Sequence, residues 1–308
     1  MSKFFEALER AETEQALPPR VSPAGTGATL AVMPAPPAPS GEVPPAAAPR
    51  LEPPVFEPPV RATEVAVDPS NRVAAQLVSL LKPASFEAEQ YRVLRHVVET
   101  MRKDLELQVV GVTSPGVGDG KTTTAINLAG ALAQSATARV LLVDLDIRRP
   151  AVRRQLGLAP SKRSLVNALR DSRLTVEDTA EYLVHFNLSV LPGGAPVVSP
   201  YELLKSPRLE VLLGEARQRY DYVILDTPPF VPVPDGRLVA KCVDAFLIVV
   251  AAHRTPRGQL AQTLHLMDPA KAMGLVFNGD TTMRPSSYYD VRPEPARGTG
   301  WRRAWSRP

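Results

Sequence analysis

Residues Thr113–Thr124 read T-S-P-G-V-G-D-G-K-T-T-T, between the apolar run Leu107–Val112 and a helical pattern from Ala125 to Gln134. A glycine-rich turn between a strand and a helix N-terminus aims backbone N–H groups and the positive end of the helix dipole at one point, and such a point binds phosphate. Gly116, Gly118 and Gly120 permit close backbone approach, Lys121 has the reach for β- and γ-phosphates, and Thr122 offers a hydroxyl to Mg²⁺. The stretch Gly116, Val117, Gly118, Asp119, Gly120, Lys121, Thr122 and Thr123 is therefore the candidate nucleotide site. The implied ligand is a nucleoside triphosphate with magnesium. The pattern G-x-x-x-x-G-K-[ST] departs once, with Pro115 where its first glycine belongs.

Two further segments end on acids. Val140–Asp146 reads V-L-L-V-D-L-D and is followed by Arg148, Arg149 and Pro150; Tyr222–Pro229 reads Y-V-I-L-D-T-P-P. In open α/β sheets ligands bind outside the carboxyl ends of the strands, so Asp144, Asp146 and Asp226 are expected to converge on the glycine loop. Carboxylates gathered near a triphosphate call for a divalent cation, and phosphoryl transfer depends on such electrostatic positioning more than on covalent help. Lys121, Asp144, Asp146, Asp226 and Arg148 form the candidate catalytic set, and the sequence does not divide metal ligand from base among the three aspartates. Which aspartate serves as base stays open, because a linear string contains no distances. Arg148 stands close enough to the acids to meet a phosphate, an acidic partner or solvent.

These groups need a scaffold, and the spacing of apolar runs predicts one. A helix over 85–103 precedes a strand over 107–112, a helix over 122–134, a strand over 140–144 and short helices between 151 and 170. Strands over 188–191 and 222–226 bracket a helix over 207–220. A strand over 245–251, a helix over 256–267 and a strand over 273–278 follow. Near-continuous apolar strands alternating with helices predict an α/β fold, a mostly parallel sheet of P-loop NTPase type with helices on both faces. Asn278, ending the last strand, is a candidate adenine contact or a turn residue.

The boxes G-D-G-K-T, L-L-V-D-L-D-I-R-R-P and V-I-L-D-T-P-P, in this order, resemble the bacterial tyrosine kinase family, P-loop enzymes of exopolysaccharide and capsule assembly. The resemblance runs from about residue 85 to 280. It takes in Glu89, Arg92 and Arg95 of E-Q-Y-R-V-L-R, similar to the family's E-x-x-R-x-x-R helix through which subunits pack into a ring, and L-P-G-G-A-P with P-Y-E-L-L-K-S-P at 191–207. It implies ATP as the nucleotide, Mg²⁺ held by Thr122, Asp144 and Asp226, autophosphorylation on C-terminal tyrosines, and a membrane-bound activator of polysaccharide polymerisation and export as partner.

Of seven tyrosines only Tyr288 and Tyr289 lie beyond the last predicted strand, in the polar, proline-bounded P-S-S-Y-Y-D-V-R-P; they are the candidate phosphoacceptors. Tyr91, Tyr182, Tyr201, Tyr220 and Tyr222 fall in or beside predicted elements and are expected to pack. With 308 residues, one domain of about 200 residues plus tails is expected. Fifteen of the 33 prolines lie between Pro18 and Pro69, so residues 17–72 read as a disordered linker. Ahead of it, residues 1–16 read as a short amphipathic helix that needs a partner or a membrane surface to dock on. The kinase-like domain is placed at 73–280 and a flexible tail at 281–308.

That tail holds six arginines against Asp290 and Glu294, an excess equal to the chain's whole net charge of +4, and it carries Trp301 and Trp305. It suits an anionic membrane surface or a solvated tail; the core shows no nucleic-acid module, so nucleic acid is not expected as a partner. No apolar run approaches ~18 residues, so a cytoplasmic protein peripheral to the inner face of the membrane is expected. Cys242 reads as a buried thiol, and the four histidines lack metal-ligand spacing. Two other classes fit the phosphate loop: a positioning ATPase, which carries an extra lysine where this chain has Gly116, and a nucleotide-binding regulatory subunit without transfer activity.

Overall fold

The apolar runs at 109–113, 140–144, 222–226 and 245–251 are buried along their whole length, as strands covered by helices on both faces must be. The computed structural model describes residues 63–65 and 73–280. The strands are β1 (Thr63–Val65), β2 (Val109–Thr113), β3 (Val140–Asp144), β4 (Glu181–Leu183), β5 (Leu188–Leu191), β6 (Tyr222–Asp226), β7 (Ala245–Ala251) and β8 (Ala272–Asn278). They form one sheet in the order β1-β4-β5-β3-β6-β2-β7-β8. Every neighbouring pair is parallel except β4 and β5.

Helix α1 (Val78–Leu81) and α2 (Phe86–Leu105) precede β2, and α3 (Lys121–Ala133) joins β2 to β3. α2 starts where the Ser85 hydroxyl accepts the Ala88 N–H, with Glu87 and Glu89 in its first turn. α3 is buried on nearly every side, which its alanines and leucines allow; eleven of its residues are buried. Short helices α4 (Val152–Gln155), α5 (Leu165–Arg170) and α6 (Val176–Thr179) fill the path from β3 to β4, and α7 (Pro200–Lys205) and α8 (Pro207–Arg219) lead into β6. α9 (Asp235–Val239) and α10 (Arg257–Leu266) flank β7.

The ladder register decides where the acids go. Asp144 of β3 lies opposite Asp226 of β6, and Val112 of β2 lies opposite the same Asp226 on its other side. Two carboxylates and the start of the glycine loop therefore share one rim of the sheet.

Four expected strands, at 140–144, 188–191, 222–226 and 245–251, coincide with those observed. The first β-strand of the core starts at Val109 rather than Leu107. The Gln108 amide N–H and the Val109 N–H both donate to the Asp244 carboxylate there, and the Gln108 side chain is tied to the Arg217 and Tyr220 carbonyls. Within the stretch read as linker, Thr63–Val65 is a strand, with Thr63 opposite Glu181. It lies in the nine proline-free residues between Pro59 and Pro69, so nothing there removes a ladder donor.

Cys242, expected in the core, closes a 3₁₀ turn (Ala240–Cys242) and is only partly buried; Val243 takes the buried place before β7. Tyr182, Tyr220 and Tyr222 are buried as expected, whereas Tyr201 on α7 is 36 % exposed, with Lys205 one turn on over its ring. The expected helix at 1–16, the rest of the linker, and the 281–308 tail with Tyr288, Tyr289, Trp301 and Trp305 lie outside the described residues.

Candidate active site

β2 delivers the chain to the loop, and two hydroxyls pin that delivery. Thr113 Oγ1 donates to the Pro228 carbonyl at 3.0 Å and Thr227 Oγ1 to the Val112 carbonyl at 3.0 Å, which locks the turn after β2 to the turn after β6. Inside the loop Ser114 Oγ donates to the Gly116 carbonyl and the Gly116 N–H donates to Asp119 Oδ2 at 2.9 Å. Gly118 and Gly120 both have positive φ, 86° and 101°. A Cβ on Gly120 would come within 1.9 Å of Asn278 Nδ2. Gly120 is also the N-cap of α3 and brings no side chain to cap it, so the first-turn N–H groups have no side-chain acceptor. That is the local form of a phosphate cradle.

Gly120→Ala is accordingly expected to weaken binding of a fluorescent ADP analogue at least about tenfold, because an L side chain there strains the backbone by about 1–3 kcal/mol and displaces Asn278. An unchanged dissociation constant in a fluorescence titration would contradict this.

Lys121 opens α3 and turns back to the acids. Its Nζ lies 2.7 Å from Asp146 Oδ2 and 3.8 Å from Asp226 Oδ1. Burial works against its charge, but Asp226 and Asp146 outweigh burial and the ammonium titrates above its ordinary value. Asp146 also accepts the Arg149 N–H through Oδ1. Asp144, fully buried, accepts the Ala151 and Val152 N–H groups through Oδ2, at 3.0 and 3.1 Å, at the start of α4. Gly193 makes room for it: a Cβ there would stand 3.3 Å from Asp144 Cγ.

Three of the remaining oxygens are poorly satisfied. Asp144 Oδ1 and both carboxylate oxygens of Asp226 are buried and accept no hydrogen bond of good geometry, although Lys121 and the Thr122 hydroxyl stand beside Asp226. Burial first, then the charge of Asp226, drives the Asp144 pKa well above its ordinary value; burial likewise raises Asp226 against the pull of Lys121. Buried oxygen acceptors that hold an excess of negative charge and no hydrogen bond of good geometry fit a hard divalent cation, which takes oxygen ligands. Thr122, Asp144 and Asp226 are the residues that could supply such ligands.

The other expected residues divide by location. Arg148 sits at the rim, donating through Nε and Nη2 to Asp235 Oδ2 at 3.0 and 2.8 Å. Asp235 is fully buried and its Oδ1 has no partner, so Arg148 is its counter-charge. Arg148→Ala is expected to destabilise the fold by about 2–3 kcal/mol, below the usual cost of orphaning a buried charge because the guanidinium is 37 % exposed. Urea denaturation would register this as a lower midpoint at unchanged m-value, and Asp235→Asn in the same background should recover part of it.

Asn278 is at the loop, where its Nδ2 donates to the Asp119 carbonyl at 2.9 Å, so its visible task is to brace the cradle. Thr123 contacts Gln155 at 3.4 Å, and Val117 is exposed on the loop. Glu89, Arg92 and Arg95 are elsewhere, on α2. Arg92 pairs with Glu89 and reaches the Pro83 carbonyl, while Arg95 bonds Glu99 at 2.7 Å and the Ala131 carbonyl of α3 at 2.9 Å.

Two contributors carried no sequence signal that pointed to the site. Arg254, after β7, donates through Nη2 to the Gly118 carbonyl and stands 4.0 Å from Asp119 Oδ1. Asp235 was hidden in the turn-like V-P-V-P-D-G. A cavity of about 480 Å³ opens over the loop, bounded by Gly118, Lys121 and Asp146, by Arg148, Arg149 and Arg154, and by Pro228, Pro229 and Pro232.

Residues 108–271 match a family model described as an AAA domain. The chain is 31% identical over 220 residues to the tyrosine-protein kinase YwqD of Bacillus subtilis, covering 71% of this chain and 92% of that protein. It is 29% identical over 214 residues to the succinoglycan biosynthesis transport protein ExoP of Rhizobium meliloti, 68% of this chain and 27% of the relative. Among solved structures, the chimerical protein CapA2B2 superposes with a TM-score of 0.61 at 28% identity, over 71% of this chain and 93% of that one.

Proposed function

The chain belongs to the bacterial tyrosine-protein kinase family, and we propose that it uses ATP with Mg²⁺ to phosphorylate tyrosine, its own Tyr288 and Tyr289 among the acceptors. The observation that carries this reading is the buried acid cluster beneath Lys121: three acceptor oxygens with no hydrogen bond of good geometry, next to a helix N-terminus without a side-chain cap. Such an arrangement is costly unless a cation and an anion occupy it together, and a magnesium–nucleotide is both.

The division of labour among the aspartates follows from their surroundings. Asp144 and Asp226 lie fully buried with oxygens that accept no hydrogen bond of good geometry, and serve the metal with Thr122. When bound, Mg²⁺ supplies charge that offsets the phosphates and the two carboxylates. Asp146 is the aspartate that borders the open cavity, so it is the base: it takes the proton of the acceptor phenol as that oxygen bonds to the γ-phosphorus and the bond to the β-phosphate oxygen breaks, leaving ADP. Lys121 places positive charge against the phosphates, and the loop N–H groups orient them. Arg148 positions the turn after β3 by its bond to Asp235.

The biological setting is the synthesis and export of an extracellular polysaccharide, in line with the name of ExoP. No helix among the described residues is long and apolar enough to cross a membrane. A membrane-bound activator is the proposed partner, which places the kinase at the inner face of the membrane. Subunits pack as a ring through α2, where Val93 and Val97 are exposed beside Glu89, Arg92 and Arg95; Arg95 at the same time ties α2 to α3. Incubation with γ-labelled ATP and Mg²⁺ tests the reading. Label on tyrosine supports it, release of phosphate alone points to a positioning ATPase, and neither signal points to a regulatory subunit.

A further inference from the structure

The lining of the cavity has two unlike parts. Pro228, Pro229 and Pro232, in the turn after β6, give it an aliphatic side. The turn after β3 and helix α4 give it Arg148, Arg149 and Arg154. Arg148 is offset by Asp235. Arg149 and Arg154 are exposed, and neither guanidinium has a hydrogen-bond or ion-pair partner among the described residues. The nearest acid in the chain, Asp146, is already engaged by Lys121 Nζ and by the Arg149 backbone N–H. Two uncompensated cations thus border the opening, while the carboxylates that bind the metal lie beneath it.

Guanidinium forks match carboxylate oxygens in shape as well as charge. Proline rings offer flat aliphatic surface to an aromatic ring. One segment of the chain carries both complements side by side: in P-S-S-Y-Y-D-V-R-P, Asp290 directly follows Tyr289. We propose that Arg149 and Arg154 form an acceptor-recognition site that selects tyrosines followed by a carboxylate, supplied by Asp290 of a second copy of this chain, with the phenol ring on Pro228, Pro229 and Pro232. This rests on the kinase reading above and adds its substrate class, tyrosine peptides with an acid on the C-terminal side. Because the arginines are solvated, the pairing acts mostly on capture of the acceptor and weakens with salt.

A charge-swap experiment on the full chain tests it, using the peptide spanning residues 285–293 and its Asp290→Lys version as acceptors. The unaltered enzyme is expected to show a KM at least about tenfold lower for the native peptide than for the lysine peptide, with kcat within about twofold. The Arg149→Glu, Arg154→Glu double variant is expected to reverse that preference, a result that misfolding cannot produce. Equal KM values for both peptides on the unaltered enzyme would overturn the proposal. So would a double variant that binds fluorescent ADP tenfold more weakly, which would assign the arginines to the nucleotide. Phosphotyrosine on neither peptide nor on the chain itself would remove the kinase reading, a failure distinct from phosphorylation that ignores residue 290.

Discussion

Lys121→Met is expected to lower the rate of tyrosine phosphorylation at least about a hundredfold, the usual cost of removing one charge-stabilising donor from a transition state. The side chain is more than a phosphate ligand. It stands 2.7 Å from Asp146 and 3.8 Å from Asp226, and it is the cation nearest to three buried carboxylates. Methionine keeps the length of the stem and removes that charge. Asp226, which Lys121 holds down against burial, then titrates still higher. The variant is therefore expected to be less stable than the unaltered chain at neutral pH, with the gap closing as the pH falls and the acids take up protons. Initial rates of label transfer and thermal melts at two pH values measure both effects. A variant with more than about a tenth of the original rate would contradict the assignment.

Asp144→Asn is expected to do two things at once: abolish transfer and raise the melting temperature of the ligand-free chain. Burial and the neighbouring Asp226 hold the Asp144 carboxyl well above its ordinary value near 3.8. The folded chain keeps a proton there that the unfolded chain gives up. The favourable share of stability from this group is thus complete below the ordinary value and is lost as the pH rises through the raised one. The neutral amide of Asn escapes that loss, and its oxygen can still accept the Ala151 and Val152 N–H groups that Asp144 Oδ2 accepts. The difference in melting temperature should be small near pH 4 and widen as the pH rises toward neutrality. Phosphorylation should fall at least about a hundredfold, since a metal ligand is gone. A variant less stable than the parent at neutral pH would show that the Asp144 charge is compensated in the apo fold.

The glycine loop and the acids were legible because each ends an apolar run. V-V-G-V-T, V-L-L-V-D and Y-V-I-L-D are too continuous to be half-exposed strands, and parallel neighbours put their last residues on one rim. What the string could not convey is contact across distance. Arg148 meets Asp235 eighty-seven residues on, and Arg254 reaches Gly118 from 136 residues away. Neither pairing leaves a local pattern. Asn278 was placed by its position at the end of β8, yet its bond to the Asp119 carbonyl depends on β8 lying at the sheet edge beyond β7. Short elements were missed for a simpler reason. β4 is E-Y-L and β1 is T-E-V, three residues each, and three residues hold no periodicity. α6, the four residues V-E-D-T, was missed for the same reason; the structure shows it started by a capping box of Thr175 and Asp178.

The most direct measurement is mass spectrometry of the full chain after incubation with ATP and Mg²⁺, beside Lys121→Met as control. Phosphate on Tyr288 or Tyr289 in the unaltered chain and on neither in the control is the expected result. ATP consumed with no phosphotyrosine anywhere in the chain would contradict a phosphoryl transfer from the Lys121, Asp144 and Asp226 cluster to tyrosine.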